Sequence, residues 1–329
     1  MAATTGSVAP AGGRARGRTR AQAPSKFGDY VLYGLCVLAA LLAVATIVEI
    51  AYQVFHGARP AIDKSGLGFL GHTTWKPNDG IFGAGTFLLG TVVSSAMALA
   101  LAAPIGISIG LYLSLLAPKG LRGIVSPLVE LLAAIPSVIL GFWGILILAP
   151  WLNKHAEPAL HKVLGFLPIF GPVPTTGASI FTAGLILTIM VVPIVASISR
   201  DLFLTVPSEL QDGALALGAT RWETVRGVVL PSTASGVAAA CCLGLGRALG
   251  EAIAVAQVIG AGNQIHKSLF ETGDTLASRV ALQFPGALSK EHFAALFYLA
   301  AILLVIGLVT NLLAQWIGRR FDVQRAVAR

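Results

Sequence analysis

The sequence predicts an all-α integral membrane protein with six spans. Three observations carry this. Hydrophobic residues make up 55% of the 329 residues and charged residues only 12%, about half the charge of an ordinary soluble domain. Residues 80–118, 163–199 and 292–318 contain no Asp, Glu, Lys or Arg, and a spanning helix needs about 20 such residues. Glycine is abundant, at 37 residues, as suits helices that pack closely in lipid.

The first span is expected at about 30–54, after Lys26 and Asp29. No small-residue cleavage site follows it, so it is expected to be a retained helix and not a signal peptide. A polar segment at 56–80 leads to a second span within 84–116, which Pro118 and Gly120 end in a tight turn at 117–123. A third span is expected at about 125–150. Residues 151–176 then predict a short amphipathic surface helix and a Pro-rich turn. The remaining spans fall at about 178–199, 234–261 and 293–317. Pro104, Pro127, Pro136 and Pro193 interrupt spans, each removing a backbone donor.

Charge orients the bundle. With both termini inside, eight of the 23 Lys and Arg fall outside: Arg59, Lys64, Lys76, Lys154, Lys162, Lys267, Arg279 and Lys290. Arg247 lies in the membrane and the other 14 fall inside, which supports cytoplasmic termini. The net charge of +8 is dispersed beside membrane segments and implies no nucleic-acid partner. Cys36, Cys241 and Cys242 sit in apolar stretches and are expected to be small core residues, with no disulfide or metal site. No cofactor motif is present: GLGRALG lies within an apolar helix and not at a strand-to-helix turn, and no phosphate loop for ATP hydrolysis occurs.

Two places carry chemistry. Arg247 and Glu251 stand four apart in an otherwise apolar run, so a continuous helix would place them on one face as a pair. The pair is either a structural lock or part of a polar path in which Arg247 meets an anion. Glu130 is a second carboxylate in a span, either paired or near the headgroups, and Ser137 after Pro136 offers a polar group where a helix opens. The second place is 207–231. Pro207 starts a short helix, Gly218 turns the chain, and Thr220 with Glu223 forms a capping-box pattern that opens a second short helix. Pro231 is expected to begin the return into the membrane.

Residues 207–231 resemble the cytoplasmic E-A-A loop of bacterial ABC importer permeases. Asp212-Gly213-Ala214 stands for E-A-A, Gly218 follows after three residues, and Val228-Val229-Leu230-Pro231 stands for I-x-L-P. Asp212, Gly213 and Val228 are substitutions within the pattern; the glycine weakens a helix by up to about 1 kcal/mol. More narrowly, 244–255 (R-A-x-G-E around Arg247 and Glu251), 130–144 (E-L-L-A-A-I-P-S-V), 69–91 (with Trp75 and Pro77) and 181–201 are similar to the PstC-type permeases of phosphate-specific ABC transporters.

The resemblance implies a six-span ABC importer permease bundle with a cytoplasmic coupling helix, in a bacterial inner membrane. It implies Asp212, Gly213, Ala214, Gly218 and Pro231 at the ATPase, and Arg247 and Glu251 in a phosphate path joined by Glu130 and Ser137. It further implies a PstA-type permease partner, a PstB-type ATPase dimer that holds ATP and Mg, and an extracytoplasmic PstS-type phosphate-binding protein. The expected organisation is a disordered basic cytoplasmic tail at 1–27, the first span and outer segment at 28–80, the permease core at 81–320, and a cytoplasmic tail at 321–329. The chain itself is expected to bind no cofactor and to catalyse no reaction. Another oxyanion, molybdate or sulfate, and a membrane scaffold or sensor with a structural ion pair remain as alternatives.

Overall fold

The computed structural model describes residues 26–320. The expected terminal tails at 1–25 and 321–329 lie outside the described residues. Among the described residues six helices are long and apolar enough to cross a membrane: α1 (Lys26–Ser65), α2 (Gly85–Leu116), α4 (Ser137–Leu164), α5 (Ile180–Leu204), α7 (Arg221–Gly250) and α10 (Lys290–Arg320). Between them lie α3 (Lys119–Ala133), α6 (Ser208–Ala216), α8 (Ile253–Val258) and α9 (Leu276–Gln283).

The chain divides into two compact units, one ending at Ile50 and one beginning at Ala51. In the first, residues 28–50 are exposed along their whole length. Cys36 is among them, so it is not the core residue expected from its apolar setting; a helix apolar all round suits a membrane span, whose surface lipid can cover.

The second unit is built on small residues. A Cβ on Gly184 would fall 2.8 Å from the Met97 sulfur, one on Gly106 2.8 Å from Val195 Cβ, and one on Gly110 3.0 Å from the Arg200 backbone nitrogen. Paired positions rise together along both helices, so α2 and α5 run parallel. Gly236 meets Leu202 and Gly244 meets Val191, so α7 runs antiparallel to α5. Close backbone approach through such residues is how membrane helices gain dispersion contact without a hydrophobic drive. These directions agree with the alternation that six successive spans require.

A second cluster joins the start of α2 to the start of α10. Trp75 is buried, packs edge-on against Phe82 and Phe87, and donates its indole N–H to Gln283 Oε1 at 2.8 Å. Phe69 stacks on Tyr298 with centroids 4.4 Å apart. Trp75 thus anchors the segment before α2 to the segment before α10.

Three expectations are corrected. The third span is not 125–150. The helix ends at Ala133, Pro136 takes an extended ψ of 134°, and a new helix runs from Ser137 to Leu164. Proline lacks the donor and its ring clashes with the preceding turn, which ends the helix here. Consequently 119–123 belongs to α3, and the expected surface helix after 151 is the end of α4. Pro104, Pro127 and Pro193, by contrast, stay inside continuous helices.

At Pro231, where the chain was expected to return into the membrane before a span from about 234, the helix is already formed. The proline lies in a helix running from Arg221 to Gly250, just after a π-turn over Val225–Val229 in which the Leu230 N–H reaches Val225 O. The wide turn accommodates a ring that can neither donate nor sit close to the previous turn. The fifth span likewise stops at Gly250 and does not reach 261: Glu251 is extended, with ψ 116°.

Candidate functional site: a broken helix and a polar groove

Glu251 and Arg247 do not form the expected pair. The helix runs through Gly250 and the chain turns extended only beyond the Glu251 Cα, so what separates the two is that the Glu251 carboxylate turns forward to the next helix. Among the described residues no ion pair joins them. Each charge instead sits at a helix end that suits it. Arg247 lies in the last turn of α7, where the dipole is negative. Glu251 Oε1 accepts the Ala254 N–H at 3.3 Å and so caps α8. This short helix lies against Gly141 of α4, where a side chain would collide with Ala254 and Gln257.

Arg247 comes three residues after Gly244, which packs on Val191 near the middle of α5. It is therefore at membrane depth. It lines an open groove of about 670 Å³ with Ile194 of α5, Cys242 and Gly246 of α7, and Gly307, Thr310 and Asn311 of α10. Its side chain is exposed on this chain, and among the described residues it has no hydrogen-bond or ion-pair partner. A guanidinium with free donors has the chemistry to attract an anion.

Glu130 does not share this groove. Its carboxylate meets Arg200 near the end of α5, Nη1 to Oε1 at 3.1 Å, and Arg200 also holds Asp201 at 2.8 Å. Glu130 thus resolves to an ion pair that ties α3 to α5. Ser137 is the first residue of α4 after the break at Pro136, half-buried there.

The segment after α5 forms the expected turn. α6 carries Asp212 and Gly213, both exposed, and half-buried Ala214. Gly218 has φ +89°, a left-handed conformation that disfavours side chains. Thr220 Oγ1 accepts the Glu223 N–H at 3.3 Å while Glu223 Oε2 accepts the Thr220 N–H at 2.7 Å, the reciprocal cap. The two helices present large apolar residues: Leu217 is 92% exposed and Trp222 64%. Both stand at the turn between α6 and α7, where exposed large apolar side chains offer a surface to a partner. Gly218→Val should leave α6 and α7 formed but disturb the turn between them. Circular dichroism should be unchanged while limited proteolysis at the turn is accelerated; unchanged proteolysis would contradict a turn that depends on the left-handed Gly218.

One charged element escaped the sequence reading. Arg279 Nε meets Asp274 Oδ2 at 2.7 Å, with side chains 5% and 0% exposed. Asp274 Oδ1 also accepts the Ser278 hydroxyl and the Thr275 N–H, and Arg279 lies 4.5 Å over the Phe87 ring while donating to Asn263. Burial pushes the Asp274 carboxyl above its ordinary range, and the Arg279 charge and these donors oppose the rise. The pair locks the loop after α8 onto α2. Gly90 has no room for a side chain beside the Asp274 carbonyl, and Thr91 Oγ1 accepts the Leu276 N–H at 2.9 Å. Thr275 with Ser278 was a legible capping signal; the burial depends on residues far away in the chain.

Six spans, a fifth helix broken at membrane depth, a groove with one unpaired arginine and an exposed two-helix turn define a membrane permease of the ABC importer class. Residues 102–323 match the family model described as the binding-protein-dependent transport system inner membrane component. The phosphate transport system permease protein PstC of Haemophilus influenzae is 40% identical over 284 residues, covering 84% of this chain and 89% of its own. That of Mesorhizobium japonicum is 37% identical over 300 residues, covering 90% and 91%. The chain belongs to the binding-protein-dependent inner membrane components and, within them, to the PstC-type permeases. In fold it is similar to a chain of the solved bacterial alginate ABC transporter, with TM-score 0.59 at 18% identity, covering 90% of this chain and 96% of that one. A chain of the MetNI methionine transporter gives 0.50 at 21% identity, covering 72% and 94%.

Proposed function

We infer that this chain is a permease subunit of an ATP-driven importer that carries inorganic phosphate inward across the bacterial cytoplasmic membrane. The observation that carries this is Arg247, an unpartnered guanidinium at membrane depth in a groove open on one side. Membership in the PstC-type family supplies the substrate class. The open side of the groove faces a second, PstA-type permease, so the path forms between two subunits. Glu251 caps α8 and holds the break in place, and Ser137 opens the helix beside it. Asp212, Gly213, Ala214 and Gly218 dock on a PstB-type ATPase, which holds the ATP and Mg. Pro231 sets the π-turn that joins the docking turn to the span. A PstS-type protein delivers phosphate from outside.

The chemistry on this chain is transport alone. ATP closes the ATPases, the docked turn moves, and α7, continuous from Arg221 through Pro231 to Arg247, carries that movement to the groove. Another oxyanion, molybdate or sulfate, would use the same arginine. Competition separates them: unlabelled phosphate should suppress labelled phosphate uptake by the assembled transporter, and equal suppression by sulfate or molybdate would overturn the assignment.

The orientation belongs to this proposal too, with both termini cytoplasmic, residues 56–80, 151–176 and 263–291 expected outside and 117–123 and 200–231 inside; within 151–176 the part beyond the end of α4 at Leu164 is the outer segment. The tail, first-span, core and C-terminal divisions at 1–27, 28–80, 81–320 and 321–329 follow from it. In a background lacking the three native cysteines, an impermeant thiol reagent should label Phe166→Cys in intact cells and spare Thr220→Cys. Reversed labelling would invert the bundle and remove 207–231 from the ATPase.

A further inference from the structure

We propose that Thr310 and Asn311 of α10 complete the anion stop begun by Arg247, receiving a hydrated phosphate opposite the guanidinium. The inference rests on the reading of the chain as a phosphate permease and names further residues of the same path.

The run from Leu299 to Leu313 is apolar apart from Gly307, Thr310 and Asn311. All three of these residues line the groove that holds Arg247. Polar side chains at this depth are costly unless they meet a partner or a wet cavity. A threonine in a spanning helix ordinarily turns its hydroxyl back on the carbonyl four residues earlier, as Thr46, Thr188 and Thr233 do here. Thr310 does not, and among the described residues Asn311 also has no hydrogen-bond partner. Arg247, Thr310 and Asn311 are thus three polar groups on two packed helices, all unsatisfied within the chain and all facing one open volume.

The chemistry fits a protonated oxyanion. At neutral pH phosphate carries both ionised oxygens and P–OH. Arg247 supplies donors to the ionised oxygens, and the Thr310 hydroxyl supplies another. Asn311 offers an amide donor and a carbonyl acceptor, and the acceptor can take the P–OH proton into a hydrogen bond. Both residues are neutral, so they add contact without adding a second trapping charge. The groove stays open at Gly246 and Gly307, where a Cβ would meet no atom within 4 Å. Its volume of about 670 Å³ suits an anion that keeps part of its water.

The test uses the whole transporter, this chain with its permease partner, ATPases and binding protein, in proteoliposomes with labelled phosphate. Asn311→Asp keeps the volume and the acceptor but places a negative charge in the stop. It should cut uptake at least tenfold with assembly unchanged. The Thr310→Val, Asn311→Leu double variant should lower uptake roughly three- to tenfold, as expected for lost neutral hydrogen bonds. Gly307→Leu should block uptake by filling the groove. A second readout needs no turnover. With Cys36 and Cys241 replaced by alanine, phosphate should slow maleimide labelling of Cys242 in the otherwise native chain and not in Asn311→Asp. Wild-type uptake and phosphate protection by Asn311→Asp would overturn the proposal, and so would its failure to assemble, which would make Asn311 a subunit contact. Arg247→Ala is measured alongside: if it transports normally, the phosphate-path reading itself fails; if it is dead while Asn311→Asp is normal, only the role of α10 fails.

Discussion

Arg247→Ala abolishes ATP-driven phosphate uptake while the transporter still assembles. The expected loss is roughly 100-fold, the rate equivalent of about 3 kcal/mol of charge-assisted contact to the anion. Assembly survives because no other side chain of the described residues depends on Arg247. Glu251 keeps its own partner, the Ala254 N–H, when the guanidinium is removed. Arg247→Lys should recover only a small part of the rate, since a point charge lacks the planar fork. Uptake assays and size-exclusion chromatography of the purified complex together check both halves. Failure of the alanine variant to assemble would return Arg247 to a structural role.

Asp274→Leu destabilises the protein more than any other single change considered. It leaves the Arg279 guanidinium buried without its counter-charge, and breaking a buried pair from one side costs about 3–5 kcal/mol. Asp274→Asn keeps an acceptor and should lose less. Replacing both residues, Asp274→Leu with Arg279→Met, should recover much of the stability, because it removes the orphaned charge along with its partner. Thermal unfolding of the detergent-solubilised complex reads all three. Equal melting of the single and double variants would show that the pair contributes no coupling. The loop it holds runs from α8 to α9, so loosening it also frees the far end of α8.

What was legible in the sequence was local. Six apolar runs gave six spans, because length and the lack of charge are sufficient to mark a membrane helix. The Gly218 turn and the Thr220 cap were readable since each depends on residues within four positions. Pro136 gave a helix break for the same reason, although the break moved the third span to 137–164. The rest was set by packing. Nothing in Leu249-Gly250-Glu251-Ala252 demands a break, and a helix reading placed Arg247 and Glu251 on one face. The chain bends there while α8 lies against Gly141, more than a hundred residues earlier. Glu130 finds Arg200 on another helix. Asp274 and Arg279 looked like ordinary connector charges, and only Gly90, Thr91 and Phe87 on α2 bury them. The fifth span was expected to start near 234, and a π-turn carries its helix through Pro231 from Arg221.

The central claim is that this chain is the phosphate path of an ATP-driven importer. Proteoliposomes bearing the native chain with its permease partner and ATPases, supplied with the binding protein and ATP, test it most directly. Labelled phosphate should accumulate against its gradient only when ATP is hydrolysed, and Arg247→Ala in the same preparation should hydrolyse ATP without accumulating phosphate. Phosphate accumulation by Arg247→Ala at the native rate, or none by the native complex while ATP is hydrolysed, would contradict the account.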